Sequence, residues 1–310
     1  MRVALVVCLG LALGACAHPG QRRAAEAPAP AGEPPPRAEP RRPPVAHDVV
    51  ENAAGTFVGQ RVDGGELLTP ESLLDELSRA DLICVGEEHG HARSHFAQWV
   101  VLGALAERSA MNGRTVALGL EMLPRAEQRP LDRYLGFELD EDELLREARW
   151  PQNWGWDFSF YRPQLELARH KGLPVLALNA PRELTRAVAH HGLDGLTREQ
   201  KKQLPELDLS DGDHRAWFDG TMKGHPHGKP DLVYAAQVVW DETMAESAAR
   251  WLGGRLPGRQ LVVMAGSGHC RGDAIPKRVR RRAPARAVSV RVAGTEPAKA
   301  GEWDFVMVFE

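Results

Sequence analysis

The chain has no marked excess of charge of either sign. Its 310 residues hold 39 Lys and Arg against 42 Asp and Glu, a formal net charge of -3. Phosphate recognition needs a basic excess on at least one face, so a nucleic-acid partner is not expected. The marks of two common hydrolase classes are missing as well. No Ser or Cys stands in a G-x-S-x-G nucleophile elbow, and "EEHGH" at Glu87 to His91 is not the H-E-x-x-H helix of zinc proteases. No internal repeat is visible. What the chain does have is 43% hydrophobic residues, enough to bury a core in one large domain or two smaller ones.

A membrane-spanning run is lacking too. The opening "MRVALVVCLGLALGAC" carries an apolar stretch, Val3 to Leu13, too short for a helix to cross a hydrocarbon core of roughly 30 Å. It reads as a secretion signal over residues 1–15. Leu13-Gly14-Ala15-Cys16 resembles the lipobox of bacterial lipoproteins. That resemblance implies lipidation of Cys16 and attachment to the outer or cytoplasmic membrane, with the periplasmic side of the outer membrane as the expected location. An ordinary signal peptide with an incidental cysteine is the plainer alternative. Residues 16–46 are rich in Pro, Ala, Arg and Glu without apolar periodicity, so they cannot bury enough surface to offset their ordering entropy. They read as a disordered, semi-rigid tether, reaching up to roughly 90 Å at about 3.1 Å per residue. Residues 47–310 form the expected folded domain. Its two cysteines, Cys84 and Cys270, stand where core strands are expected to end; a disulfide and two separate buried thiols are both open.

Four short runs dense in branched or apolar residues read as buried strands: "DLICVGE", "TVALGLEM", "PVLALNA" and "QLVVMAGSG". Amphipathic stretches such as "HFAQWVVLGALAERSA" and "RPQLELARHKG" separate them. The alternation predicts an α/β fold, a mainly parallel central sheet with helices on both faces. Residues 211–252 add a helical excursion, interrupted at Gly224, Pro226, Gly228 and Pro230 by a His-bearing loop. "ARAVSVRV" and "EWDFVMVFE" alternate as strands at the edge of the sheet would.

In open parallel sheets, ligands gather beyond the carboxyl ends of the strands. Here those ends are polar: Glu87, Glu88 and His89 after the first run, Glu121 in the second, Asn179 in the third and His269 in the fourth. In extended chain Glu87 and His89 share a face while Glu88 points away, so Glu88 and His91 are assigned to the helix that follows. Each residue alone has a plain reading, a helix cap or a buried imidazole. Together they predict one shared pocket of Glu87, His89, Glu121 and His269.

These segments, "GEEH", "LEMLPRAEQ", "LNAPRE", "AAQVVWDETMA" and "GSGH" in that order, resemble the ChaN-like haem-binding uptake family, in a superfamily with Tiki, TraB and erythromycin-esterase-like proteins. The resemblance implies an α/β lipoprotein that binds haem as a homodimer, with a tyrosine on the iron. Phenolate is a hard anionic ligand suited to ferric iron. Of three tyrosines, Tyr134 reads as helix packing, Tyr161 follows the aromatic loop "WPQNWGWDFSF" and is the preferred ligand, and Tyr234 opens a helix. The aromatic loop is also readable as core cover. His225 and His227 in "KGHPHGKP" are further haem or metal candidates, an exposed idle loop being the plain reading. The basic run "PKRVRRRAPAR" offers charge-assisted bonds to haem propionates or anionic lipid, against the plainer reading of a solvated helix face.

The competing expectation is a hydrolase. A neutral His89 takes a proton from water that Glu87 or Glu121 orients, and His269 stabilises developing charge, directly or around a divalent ion such as zinc or manganese.

Overall fold

The computed structural model describes residues 56–223, 228–254, 258–293, 298–299 and 301–309. The signal segment, the tether, Cys16, His225 and His227 lie outside the described residues. Eight strands form one sheet: β1 (Phe57–Arg61), β2 (Leu67–Leu68), β3 (Leu82–Glu87), β4 (Thr115–Pro124), β5 (Val175–Asn179), β6 (Arg259–Gly266), β7 (Ala287–Val292) and β8 (Phe305–Phe309). Their order across the sheet is β2-β1-β8-β7-β3-β6-β4-β5. The five pairings from β8 to β5 are parallel, and β1 runs antiparallel to both β2 and β8.

The helices are α1 (Pro70–Ser78), α2 (Ala92–Asn112), α3 (Gln128–Leu135), α4 (Glu141–Glu147), α5 (Trp150–Asn153) and α6 (Arg162–Lys171). After them come α7 (Arg182–His191), α8 (Arg198–Lys201), α9 (Gly212–Met222), α10 (Pro230–Leu252), α11 (Ser267–Cys270) and α12 (Ile275–Arg282). Every residue of β3 is buried, as a strand covered on both faces requires. Its alternation divides the core: Ile83 and Val85 join the cluster under α2 and α6, whereas Leu82 and Cys84 join the cluster under α10 and α12. The predicted helix, loop and helix are α9, N-capped by Asp211 onto His214 N, and α10, which opens on Pro230 where a missing N–H costs nothing.

Two tail features differ from expectation. β7 and β8 are interior strands, and the sheet ends on β2 and β5. Ser289, one of the polar residues in that alternation, is fully buried and paired: its N–H and hydroxyl both donate to Asp304 at 2.8 Å, so alternation did not mean exposure. The edge at β5 is occupied by a side chain, because Gln128 donates to Val175 O at 2.8 Å and accepts from Ala177 N at 2.7 Å.

The basic run is in part a solvated face, with Lys277, Arg280, Arg281 and Arg286 exposed, but it is not a free cationic patch. Arg278 is buried, and Arg281 and Arg282 converge on the buried Glu242 of α10 at 2.9 and 2.5 Å. These guanidinium groups lock α12 onto α10. Cys84 and Cys270 are joined by a disulfide, with Cα atoms 5.2 Å apart across 186 residues of sequence. Closing a loop of that length contributes about 5 kcal/mol in the chain-entropy account. It also ties the single turn of α11 to the centre of the sheet.

Candidate functional site

β3 ends by delivering Glu87 into the interior. Its Oε1 accepts from His89 Nδ1 at 2.8 Å and from the Tyr161 hydroxyl at 2.9 Å, and its Oε2 accepts from Gln98 Nε2 at 2.7 Å. His95 lies behind, its Nδ1 3.7 Å from Oε2 and its Nε2 donating to the His89 carbonyl at 2.9 Å. His95 and Gln98 stand one turn apart on the buried face of α2, so one helix supports both ends of the Glu87-to-His89 segment. Burial opposes the Glu87 charge, but the imidazoles of His95 and His89 and the amide of Gln98 outweigh it and hold the carboxyl below its usual range. Burial likewise opposes a charged His89, yet Glu87 and then Glu121 raise it.

The ends of β4 and β6 meet beside it. Glu121 Oε2 accepts from Gly266 N at 2.7 Å, and Oε1 lies 3.2 Å from His269 Nε2. Asn179 steadies the strand by donating to the Glu121 carbonyl at 2.8 Å. On its other side His269 Nδ1 donates to Asp241 Oδ1 at 2.6 Å, with the Gln237 carboxamide 3.1 Å from the same nitrogen. Gln237 and Asp241, four residues apart, share one face of α10. Burial works against charge on His269, but Glu121 and Asp241 on its two sides push it up to about 10. Glu121 and Asp241 are held correspondingly low, against their own burial, chiefly by His269.

The two clusters converge at Gly266. A Cβ there would fall 2.9 Å from His89 Cε1 and 3.6 Å from Glu121 Oε2, so the cradle depends on a residue without a side chain. Thus Glu87, His89, Glu121 and His269, drawn from β3 and the turn after it, from β4 and from α11, stand around one space. Trp154 meets the His89 ring edge-on at 4.7 Å, and Trp156, 39% exposed, lies 5.6 Å from it. The aromatic loop therefore serves twice: Trp150, Phe158 and Tyr161 fill the core, and Trp154 and Trp156 form the wall beside His89. Glu88 and His91 are exposed beyond the end of β3.

Tyr161 is not presented to a ligand. It is buried, its hydroxyl is given to Glu87, and burial together with that carboxylate raises the phenol well above its ordinary value. Tyr234 is also buried, with its hydroxyl 3.2 Å from His214 Nδ1 and 3.4 Å from the Asp211 carbonyl; burial pushes it up to about 12. Tyr134 is buried with the Arg169 guanidinium 4.2 Å from its ring centre. A tyrosinate on haem iron therefore does not fit this arrangement. An imidazole does: Nδ1 of His89 is anchored by a carboxylate, the orientation that leaves Nε2 for a ligand, and no side chain among the described residues hydrogen-bonds that nitrogen.

The divalent-ion reading finds no support. Among the described residues no group of three or more His, Cys, Asp or Glu is placed to hold a metal ion. The acids and imidazoles pair with one another instead. Sequence reasoning missed the roles of His95, Gln98, His214 and Asp241. The available signals were polar residues on the apolar face of α2 and the Gln237/Asp241 spacing; His214 offered none.

The family model for haem-binding uptake proteins of the Tiki superfamily, ChaN, matches residues 73–279. The structure describing cofacial haem binding to ChaN of Campylobacter jejuni aligns at a TM-score of 0.67 with 18% identity, over 82% of this chain and 97% of that one. An erythromycin esterase, EreC in its open conformation, aligns at 0.46 with 13% identity, over 82% of this chain and 83% of that one. Protein RETICULATA-RELATED 5, chloroplastic, of Arabidopsis thaliana is 26% identical over 201 residues, 59% of this chain. The match spans about a quarter, 26%, of that curated relative's length.

Proposed function

Because the chain belongs to the ChaN family of haem-binding uptake proteins in the Tiki superfamily, we propose that it binds haem at the mouth beyond β3, β4 and β6, with His89 as its hold on the iron. The observation that carries this is the Glu87–His89 pair. Glu87 accepts the hydrogen bond from Nδ1–H, which fixes the tautomer, raises the basicity of the ring and leaves Nε2 on the side of Gly266. Haem bound there supplies a Lewis-acidic iron and a flat apolar face, and Trp154 and Trp156 provide matching aromatic surface. The wider setting we propose is an exported lipoprotein, anchored through Cys16 on the periplasmic side of the outer membrane, that carries haem at the end of its tether. Pairing of two copies around stacked haems belongs to the same proposal.

Resonance Raman and paramagnetic resonance of the full chain loaded with haemin test the ligand. Nitrogen ligation that disappears in His89→Ala and persists in Tyr161→Phe is the expected result. Phenolate vibrations, lost in Tyr161→Phe, would overturn it.

One observation favours a second reading, a Glu/His hydrolase. Glu121 and the two imidazoles His89 and His269 border one small space, with His269 held charged and His89 tied to a carboxylate. In that case His89 accepts a proton from water, Glu121 orients it and His269 stabilises the anion that develops. Turnover of an ester panel by colourless protein, abolished by Glu121→Gln, would favour this reading.

A further inference from the structure

His214, in the first turn of α9, is fully buried and lies outside the strand-end motifs. Its Nε2 sits 3.1 Å from Oδ2 of Asp241, whose Oδ1 holds His269. Its Nδ1 faces the Arg278 guanidinium at 3.4 Å and the Tyr234 hydroxyl at 3.2 Å. A guanidinium nitrogen only donates, so the Arg278 contact favours Nδ1 as the acceptor and the tautomer with its proton on Nε2, facing Asp241. The Tyr234 hydroxyl has the Asp211 carbonyl as an acceptor of its own, at 3.4 Å. Arg278 is brought there by the lock between α12 and α10: its Nε lies 3.4 Å from Glu242, the residue next to Asp241, and its Nη1 donates to the Asp273 carbonyl at 2.5 Å.

A carboxylate with one oxygen held and the other loose can rotate. Asp241 has a histidine beside each oxygen: His269 is hydrogen-bonded to Oδ1, and His214 Nε2 stands 3.1 Å from Oδ2, outside hydrogen-bond geometry but close enough to oppose rotation electrostatically. We propose that His214 is a positioning residue of the pocket: directed by Arg278, it pins Oδ2 of Asp241, and so fixes the carboxylate that keeps the His269 ring turned with Nε2 toward Glu121. These contacts lie wholly within the protein and do not depend on whether the pocket takes haem. They also give buried Arg278 of α12 a task that composition alone hides, since its guanidinium faces a histidine two contacts away from the pocket.

Imidazole nitrogen NMR on the full chain, labelled with 15N-histidine and free of ligand, tests this. In the wild type, His214 is expected to show a protonated Nε2 and a bare Nδ1, while His269 keeps both nitrogens protonated through pH 8. The opposite tautomer at His214 overturns the proposal without any variant. His214→Leu keeps bulk and removes the donor, and is expected to release His269 into a neutral or exchanging state at pH 8. His214→Gln places an amide donor near the lost Nε2 and is expected to retain the His269 signature. A folded Leu variant with unchanged His269 signals contradicts the role, as does a folded Gln variant that loses them. Should the Leu variant fail to fold, the Gln variant and the wild-type tautomer decide.

Discussion

The pocket has two arms made of the same parts, assembled in different ways. In the local arm a carboxylate, Glu87, stands between a pocket histidine, His89, and a buried one, His95, all supplied by one strand and the helix that follows. In the distributed arm Asp241 stands between His269 and the buried His214, and these come from α10, α11 and α9. The local arm is close-knit in sequence, with the Tyr161 hydroxyl reaching Glu87 from outside it. The distributed arm depends on tertiary devices, the Cys84–Cys270 disulfide that fixes α11 and the arginines that bind α12 to α10. The difference teaches that equal geometry can rest on unequal supports, and perturbations should separate the two arms.

The largest separation is expected from removing the disulfide. Cys84→Ala with Cys270→Ala should lower unfolding stability by about 5 kcal/mol in denaturant titrations. In the fraction that stays folded, His269 imidazole signals should change while those of His89 persist. Equal disturbance of both would show that the bridge supports the whole sheet and not one arm.

Next comes Asp241→Asn, which leaves two buried imidazoles facing a neutral amide. Breaking a buried charge pair in this way costs about 3 to 5 kcal/mol, readable in the same titration. A cost below about 1 kcal/mol would mean that the Asp241 contacts hold nothing.

A smaller effect reads the distributed arm by pH. Glu121 and Asp241 are lowered in the folded chain, so their contribution is present at neutrality and is lost as the pH falls below the usual carboxylate range. His269 is raised from 6.5 to about 10, so its contribution is whole below pH 6.5 and is lost as the pH climbs toward 10. The two statements describe one network from its two ends and do not add. Thermal midpoints should therefore fall between pH 7 and 10 in the wild type, and His269→Gln should remove part of that slope. An identical slope in the variant would place the alkaline sensitivity elsewhere.

The unequal supports also explain what the sequence disclosed. Strands buried on both faces write themselves as continuous apolar runs, so β3, β4, β5 and β6 were legible, and with them the polar ends carrying Glu87, His89, Glu121 and His269. The tail strands misled because Ser289 looks solvent-facing until Asp304 comes back to pair with it. Tyr161 misled because an aromatic loop resembles a ligand wall whether its phenol points outward or, as here, inward to Glu87. His214 and the arginines of α12 were illegible for a plainer reason. Their partners, Asp241 and Glu242, lie on another helix, and no periodicity along one segment reports a contact between two.

The proposal that His89 holds haem is tested most directly by comparing the arms in one experiment: equilibrium haemin titration of the full chain, followed by Soret absorbance, for wild type, His89→Ala and His269→Ala. The account predicts a roughly 100-fold or greater loss of affinity for His89→Ala, the scale of losing the iron ligand or its support, and a change of only a few fold for His269→Ala. Affinity that survives His89→Ala, or falls equally in both variants, would contradict it.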